Sequence, residues 1–437
     1  MSASHMLFAG KHQHTRTVEE VSALLKRFYL VEKEIMRTLG GYLISVTNWE
    51  LNKDLPHHMW QDSLRADALR TRIMELRYPR RDVDGNHDPK LSRLLSLLIR
   101  CQGDNELLAG VYDVLKQELM QQYQIYLQQA DPLSDAPTIA FMWRFPEQIQ
   151  CQIDHVSEIR DTLLPKEDVT EWRNAIRSYL QGIGGIVGNG VTGEESMAAE
   201  AADAWIIANR QPYKMPAKAA RDPRFVPAPC SIPPKRAESP IEIQVLQAIY
   251  HLTEIWAAEA PGLAIWTWGD MPWEFYLDLS RWAYDESRHV KMGELRLIEW
   301  GFEIGIDVPV YEETYASQAT NGGNELDLMA LLHRFEIDGP ANREKAKHEF
   351  EEFGDLQTAH HIDYDWADEA VHLKYGHKWL MHRFDNDYEK MQEVMEKTLA
   401  WYNQYVENIN KVWDYEPFLS RIAAKMKRIE NDYNEQQ

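Results

Sequence analysis

The chain is poor in cysteine, in net positive charge, in long apolar runs and in strand-like alternation. Its 437 residues hold three cysteines, Cys101, Cys151 and Cys230, dispersed and without a C-x-x-C pair. Such a set offers neither a disulfide framework nor a thiolate metal site, and it suits a reducing compartment, so a cytoplasmic protein is expected. No run of about 18 apolar residues occurs, and no secretory pattern opens the sequence, so no membrane span is expected. Lys and Arg number 47 against 69 Asp and Glu, a formal net charge of −22. A surface of that sign repels phosphate backbones, which disfavours a nucleic-acid substrate.

What is present is helix. Hydrophobic residues make up 44% of the chain, enough for one large or two medium domains. The stretch "VEEVSALLKRFYLVEKEIMRTLGGYLISV" places them three and four residues apart, the spacing of an amphipathic helix. The same spacing predicts helices over about 58–77, 91–128, 137–163, 168–180 and 195–209, then over about 240–260, 273–302, 325–353, 357–383, 387–411 and 415–434. The fold class is therefore all-α. Eight prolines (Pro212, Pro216, Pro223, Pro227, Pro229, Pro233, Pro234 and Pro240) exclude continuous helix from the intervening segment. They divide the chain into a helical half over 1–210, a Pro-rich connection over 211–240 and a second half over 241–437.

Two local patterns in the first half bear on function. "GNGVTG" satisfies G-x-G-x-x-G, but no strand–helix–strand pattern surrounds it, so a loop is expected rather than a dinucleotide site. "LPHHMWQDSLRADALRTRIMELR" resembles "MPWEFYLDLSRWAYDESRHVKMGELR" in the second half. Aligned on the shared "ELR", Asp67 falls opposite Glu286 and Arg70 opposite His289. The first half then reads as a degenerate repeat without metal, because an arginine cannot ligate a cation.

The chemistry concentrates in a nonapeptide written twice. "DESRHVKMG", from Asp285, returns as "DEAVHLKYG", from Asp368. Glu and His three residues apart project from one helix face and offer one oxygen and one nitrogen donor, a combination suited to iron, manganese or zinc. A bundle with an internal pair of metals takes such a motif from two helices and one Glu from each of the other two. In an antiparallel hairpin that Glu and the motif Glu lie nearly equidistant from the turn. Glu254 stands 32 residues before Glu286, with the midpoint in "GDMP"; Glu336 stands 33 before Glu369, with the midpoint beside Gly354. Glu259 is too near its turn, and Glu344 sits in the charged run "NREKAKHEFEE", which reads as a solvated face. The metal ligands are therefore expected to be Glu254, Glu286, His289, Glu336, Glu369 and His372.

Other residues flank this set. Asp285 and Asp368 could each hydrogen-bond an imidazole of a neighbouring helix. His251 and His333 precede Glu254 and Glu336 by three residues, as outer partners, extra ligands or core histidines. Asp365 and His361 lie one and two turns before Glu369 on the same face. Gly293 and Gly376 follow the motif histidines by four residues and suggest close helix approach. Trp266, Trp268, Trp282, Tyr284, Tyr364 and Trp366 surround the motifs, as core packing or as a route for electrons.

These residues resemble the ferritin-like superfamily of dimetal carboxylate proteins over roughly residues 240–385. More narrowly, "HRFEIDGP…FEEFGDLQTAHHIDYDWADEAVHLKYG" is similar to a bacterial ferritin-like family of undefined function. That family's third helix carries R-x-x-E-A-R-G-L-D before a G-D turn and D-E-x-x-H-x-x-x-G; here "EIDGP" stands in place of "EARGLD". The resemblance implies a four-helix bundle with two bridged metal ions, Fe/Fe or Mn/Fe. It also implies an O₂-activating oxygenase or oxidase acting on a small molecule, as a monomer or dimer. An iron-handling or oxidative-defence protein and a dimetal hydrolase are the alternative expectations.

Overall fold

Helix starts follow from side-chain caps. Thr17, Asn48, Asp88, Thr192, Ser239, Asn324, Asp355 and Asp387 each accept a first-turn backbone N–H. A computed structural model of the protein describes residues 16–78, 80–85, 88–228, 239–311, 318 and 322–435. Cys230, Pro229, Pro233 and Pro234 lie outside the described residues.

In the first half the helices are α1 (Val18–Leu43), α2 (Trp49–Glu75), α3 (Arg80–Val83), α4 (Pro89–Leu97), α5 (Asp104–Gly110), α6 (Gln117–Gln129), α7 (Ala136–Met142), α8 (Phe145–Leu163), α9 (Thr170–Gly182) and α10 (Gly193–Asn209). In the second they are α11 (Pro240–Thr253), α12 (Ile255–Thr267), α13 (Trp273–Glu299), α14 (Glu325–Glu352), α15 (Leu356–Arg383), α16 (Tyr388–Asn410) and α17 (Glu416–Glu435). The protein is all-α, and the strands among the described residues are β1 (Pro227–Ala228) and β2 (Val310–Tyr311), paired in parallel.

Three boundaries depart from the periodicity. α2 begins at Trp49 rather than near residue 58, because the Asn48 cap and buried Trp49, Leu51 and Leu55 outweigh the missing N–H of Pro56. The expected helix over 91–128 is broken by a 3₁₀ turn (Leu98–Arg100) and by Gly103, whose φ of 87° no helix accommodates. It resumes as α5, passes through a π-helical turn (Val111–Lys116) and ends as α6. The helix over 240–260 is divided at Glu254, whose carbonyl accepts from both Ala257 and Ala258.

Four antiparallel helices in each half enclose a buried centre: α1, α2, the π turn with α6, and α8 in the first; α11/α12, α13, α14 and α15 in the second. α1 and α2 pack on α12 and α13, and one hydrophobic core runs from Leu25 through Leu279 to Met395. Residues 211–228 are ordered against both halves. Ala220 donates to the Ile44 carbonyl, Val226 to that of Gly305, and Arg221 binds Glu259 at 2.6 Å. "GNGVTG" follows helix α9 rather than a strand, so the geometry of a dinucleotide site is missing.

At the crossing of α1 and α12 the backbones touch. A Cβ on Gly40 would lie 2.8 Å from the Gly262 carbonyl oxygen, and one on Gly262 would lie 2.9 Å from that of Gly40. Gly40→Ala is therefore expected to lose about 1–3 kcal/mol of stability in chemical denaturation, since backbone cannot yield as a side chain can. Unchanged stability would show that the helices separate freely.

Between α2 and α8, Asp54 is held by His155 at 3.0 Å and by Lys291 of α13. Burial raises the Asp54 carboxyl, but these two partners pull it below its ordinary 3.8, while Asp54 raises half-exposed His155 above 6.5. The aspartate's contribution is present above 3.8 and lost as pH falls through its depressed folded value. The histidine's is full below 6.5 and lost as pH rises through its elevated folded value. The stability difference between wild type and His155→Ala should accordingly be larger at about pH 5.5 than at about pH 8.5. A pH-independent difference would contradict the pairing.

Candidate metal centre

The four helices of the second bundle bring the duplicated motifs face to face. The α12–α13 turn falls at Gly269–Met271 and the α14–α15 turn at Gly354, φ 76°. These are the midpoints expected from the spacing. Glu286, Glu336, Glu369 and His372 each offer a donor atom to one group; Glu254, Glu286 and His289 form a second; His289, Asp365 and Glu369 form a third. Within each group the donor atoms lie within 4.8 Å of one another, and all are buried. Glu286 belongs to the first two groups and so stands between them.

Each motif braces the other. His289 Nε2 lies 3.3 Å from Asp368 Oδ2, and His372 Nε2 lies 3.4 Å from Asp285 Oδ2. The aspartate of one copy thus orients the imidazole of its neighbour. A proton held on Nε2 leaves Nδ1 facing inward, and inward lie Glu254 (3.2 Å) and Glu286 (3.4 Å) for His289, and Glu286 (3.1 Å) for His372. Arg281 and Arg288 each bind both aspartates and neutralise them. Sequence reasoning missed this arginine pair, although both flank Asp285 at helical spacing.

The buried centre is electrostatically incomplete. Glu254 Oε2, His289 Nδ1, His372 Nδ1 and Asp365 Oδ1 are buried and make no hydrogen bond of regular geometry among the described residues, although both Nδ1 atoms face carboxylates at 3.1–3.4 Å. Burial and the Glu286 charge push the Glu369 carboxyl up to about 8. Burial also opposes ionisation of Glu286, but His289 and His372 outweigh it and bring that carboxyl down to about 2. Burial disfavours a charged His372, yet Asp285 and Glu286 hold it at about 9.

The other expected residues separate clearly. His251 Nε2 lies 3.0 Å from Asp365 Oδ2 and reaches the centre through that carboxylate. His333 faces elsewhere. A Cβ on Gly376 would run into its ring, His377 is its aromatic neighbour, and burial lowers it to about 4. His361 stands beside His251, lowered to about 4 by burial and then by that neighbour, and joins none of the donor groups. Gly293 allows contact with α11, where a Cβ would strike the Ala248 carbonyl. Glu259 is taken by Arg221, and Glu344 is exposed.

Among the aromatics, Trp282 touches the centre. Its Nε1 donates to Glu286 Oε1 at 2.9 Å, and its ring stacks on His372 at 5.2 Å. Trp268 stacks on Phe275, and Tyr284 on His57.

Arg343 overturns the reading of "NREKAKHEFEE" as wholly solvated. It is buried, with Nη2 3.0 Å from Glu254 Oε1 and Nε 2.5 Å from Asp365 Oδ2. Its place two turns beyond Glu336 on the same helix face was the available signal. Glu254, Glu286, Glu336, Asp365 and Glu369 carry five charges when ionised, and Arg343 cancels one. The remaining four match two divalent cations.

An open cavity of about 870 Å³ lies away from this centre, lined by Gln117, Gln121, Arg177, Gln181 and Asn189 of the first half. No described helix is long and apolar enough to cross a membrane.

Fold and site together define an all-helical protein with buried carboxylate–histidine clusters that could hold metal ions. Residues 191–429, more than half of the chain, match the family described as "Protein of unknown function (DUF455)", and the protein belongs to that family. The match includes every helix of the second bundle and none of the four that form the first. No curated protein and no solved structure matches the chain.

Proposed function

We propose that the protein is a ferritin-like, O₂-activating dimetal oxidoreductase, with Fe/Fe or Mn/Fe held by Glu254, Glu286, His289, Glu336, Glu369 and His372. One observation carries the reading: two buried donor groups share Glu286 and contain imidazole and carboxylate atoms that face each other without a hydrogen bond of regular geometry. Burying these acids without a cation would cost several kcal/mol per charge. Nitrogen and oxygen donors without thiolate suit iron and manganese.

When bound, two such ions would supply the electrons that reduce O₂. The chain's own residues prepare the place. Asp285 and Asp368 keep the Nε2 protons and turn the Nδ1 lone pairs inward. Glu286 spans both donor groups, while the Trp282 indole fixes one of its oxygens. Arg343 holds Glu254 and Asp365 and removes the charge that two divalent ions would leave over. Trp282, packed on His372, is the aromatic placed to pass an electron to the centre. The substrate on this reading is a small molecule, and the assembly a monomer or dimer rather than a cage.

Anaerobic loading with Fe(II), followed by oxygen, tests the assignment. Two ions per chain, oxygen uptake and a new visible band are expected. A chain that takes up zinc alone and ignores oxygen would transfer the same residues to water activation in a hydrolase. Iron uptake in a multi-chain cage without substrate turnover would make it an iron-handling protein.

A further inference from the structure

The first bundle contains buried charge for which the metal centre has no use. Glu32 of α1, Asp62 and Arg65 of α2, Lys116 at the end of the π turn and Gln152 of α8 meet at its middle, each at most 2% exposed. Arg65 donates to Glu32 at 2.7 and 3.1 Å and also to Asp62. Lys116 donates to both Asp62 oxygens at 2.6 and 2.8 Å and to Gln152 at 2.6 Å. Tyr123 adds a hydrogen bond to Glu32 at 2.9 Å. Two acids and two bases reach neutrality without any ion.

Five of the six ligand positions have a buried counterpart in this cluster, while the sixth, His155, is half-exposed and held by Asp54. Glu32 stands on the first helix of its bundle as Glu254 does in the second. Asp62-x-x-Arg65 takes the place of Glu286-x-x-His289, Lys116 that of Glu336, and Gln152-x-x-His155 that of Glu369-x-x-His372. The interface supports this register independently. The chain offset from Glu32 to Glu254 also separates Gly40 from Gly262, the two glycines that touch. One further offset relates both Asp62 to Glu286 and Arg65 to His289. His58, one turn before Asp62, packs edge-on against His155 at 5.6 Å, where Trp282, one turn before Glu286, stacks on His372 at 5.2 Å. This register differs by five residues from the alignment on "ELR". Asp67 accepts the Trp273 indole N–H and Arg70 pairs with Asp84, both outside this cluster.

We infer that the chain contains the metal-binding bundle twice, and that in the first copy the Arg65 guanidinium and the Lys116 ammonium replace the two metal ions. The inference rests on the metal assignment only for the second bundle. It gives the first half a defined role. Its cations are covalently attached, so this bundle stays folded when metal is scarce and holds α12, which starts just after Glu254, and α13, which carries Glu286 and His289.

The restoring variant Arg65→His/Lys116→Glu/Gln152→Glu tests the inference by metal counting after anaerobic Mn(II) or Fe(II) loading. Wild type is expected to hold two ions and the variant four, and the added pair should survive Glu286→Ala. A folded variant that holds no more than wild type overturns the inference. A metal-free wild type would defeat the assignment to the second bundle, while a gain in the variant would still support the duplication. Should the triple variant not fold, Lys116→Met and Lys116→Met/Asp62→Asn decide. With Lys116 gone Asp62 and Glu32 share the single Arg65 cation, so removing the Asp62 charge should recover most of the melting temperature that the single variant loses, and no recovery would overturn the inference.

Discussion

Glu286→Ala should abolish metal binding altogether, from two ions per chain to none, in a protein that keeps its helical circular dichroism. The size of the effect follows from position. Glu286 joins the group of Glu336, Glu369 and His372 and also the group of Glu254 and His289, so its loss leaves both short of a donor. Trp282 loses its acceptor as well, and His372 the carboxylate 3.1 Å from its Nδ1. Asp285→Ala, which releases the orientation of His372 and one acceptor of Arg281 and Arg288, should cost about 10–100-fold in affinity. Glu344→Ala, exposed on α14, should change nothing. Elemental analysis of the three variants checks the order, and equal metal content in all three would contradict it.

Arg343→Met should produce the largest loss of stability from a single substitution at the site. The guanidinium holds Glu254 and Asp365, and removing it leaves two buried carboxylates facing an apolar group. Breaking a buried pair on one side costs about 3–5 kcal/mol, and here the remaining acids keep only the imidazoles of His251 and His289. Denaturation of metal-free protein should show that loss, and metal-loaded protein should show less of it, since the ions attract the same acids. A loss below about 1 kcal/mol, the ordinary value of a solvated pair, would mean that Arg343 is not a buried counter-ion.

The buried donor groups were legible because helical spacing and hairpin symmetry constrain them twice over. A motif repeated with one frame marks two helices, and equal distances from a turn mark the partners on the other two. Arg343 was hidden because a run of charges carries no apolar stripe, so nothing local distinguishes its buried member. The break at Glu254 was hidden for the opposite reason: the apolar frame continues through it, and only the carbonyl accepting two N–H groups reveals it. The first bundle's centre was hardest to read. Its centre carries Arg65 and Lys116 rather than the residue types by which a metal site is recognised, and the shared "ELR" drew the alignment to Asp67 and Arg70. His333 was misleading in another way. Its spacing to Glu336 copies that of His251 to Glu254, yet His251 reaches Asp365 while His333 meets Gly376.

Anomalous diffraction at the iron edge, from crystals of the anaerobically loaded chain, tests the central claim most directly. The account predicts two peaks inside the cage of Glu254, Glu286, His289, Glu336, Glu369 and His372, and none between Glu32 and Lys116. No peak in that cage, or peaks in the first bundle, would contradict it.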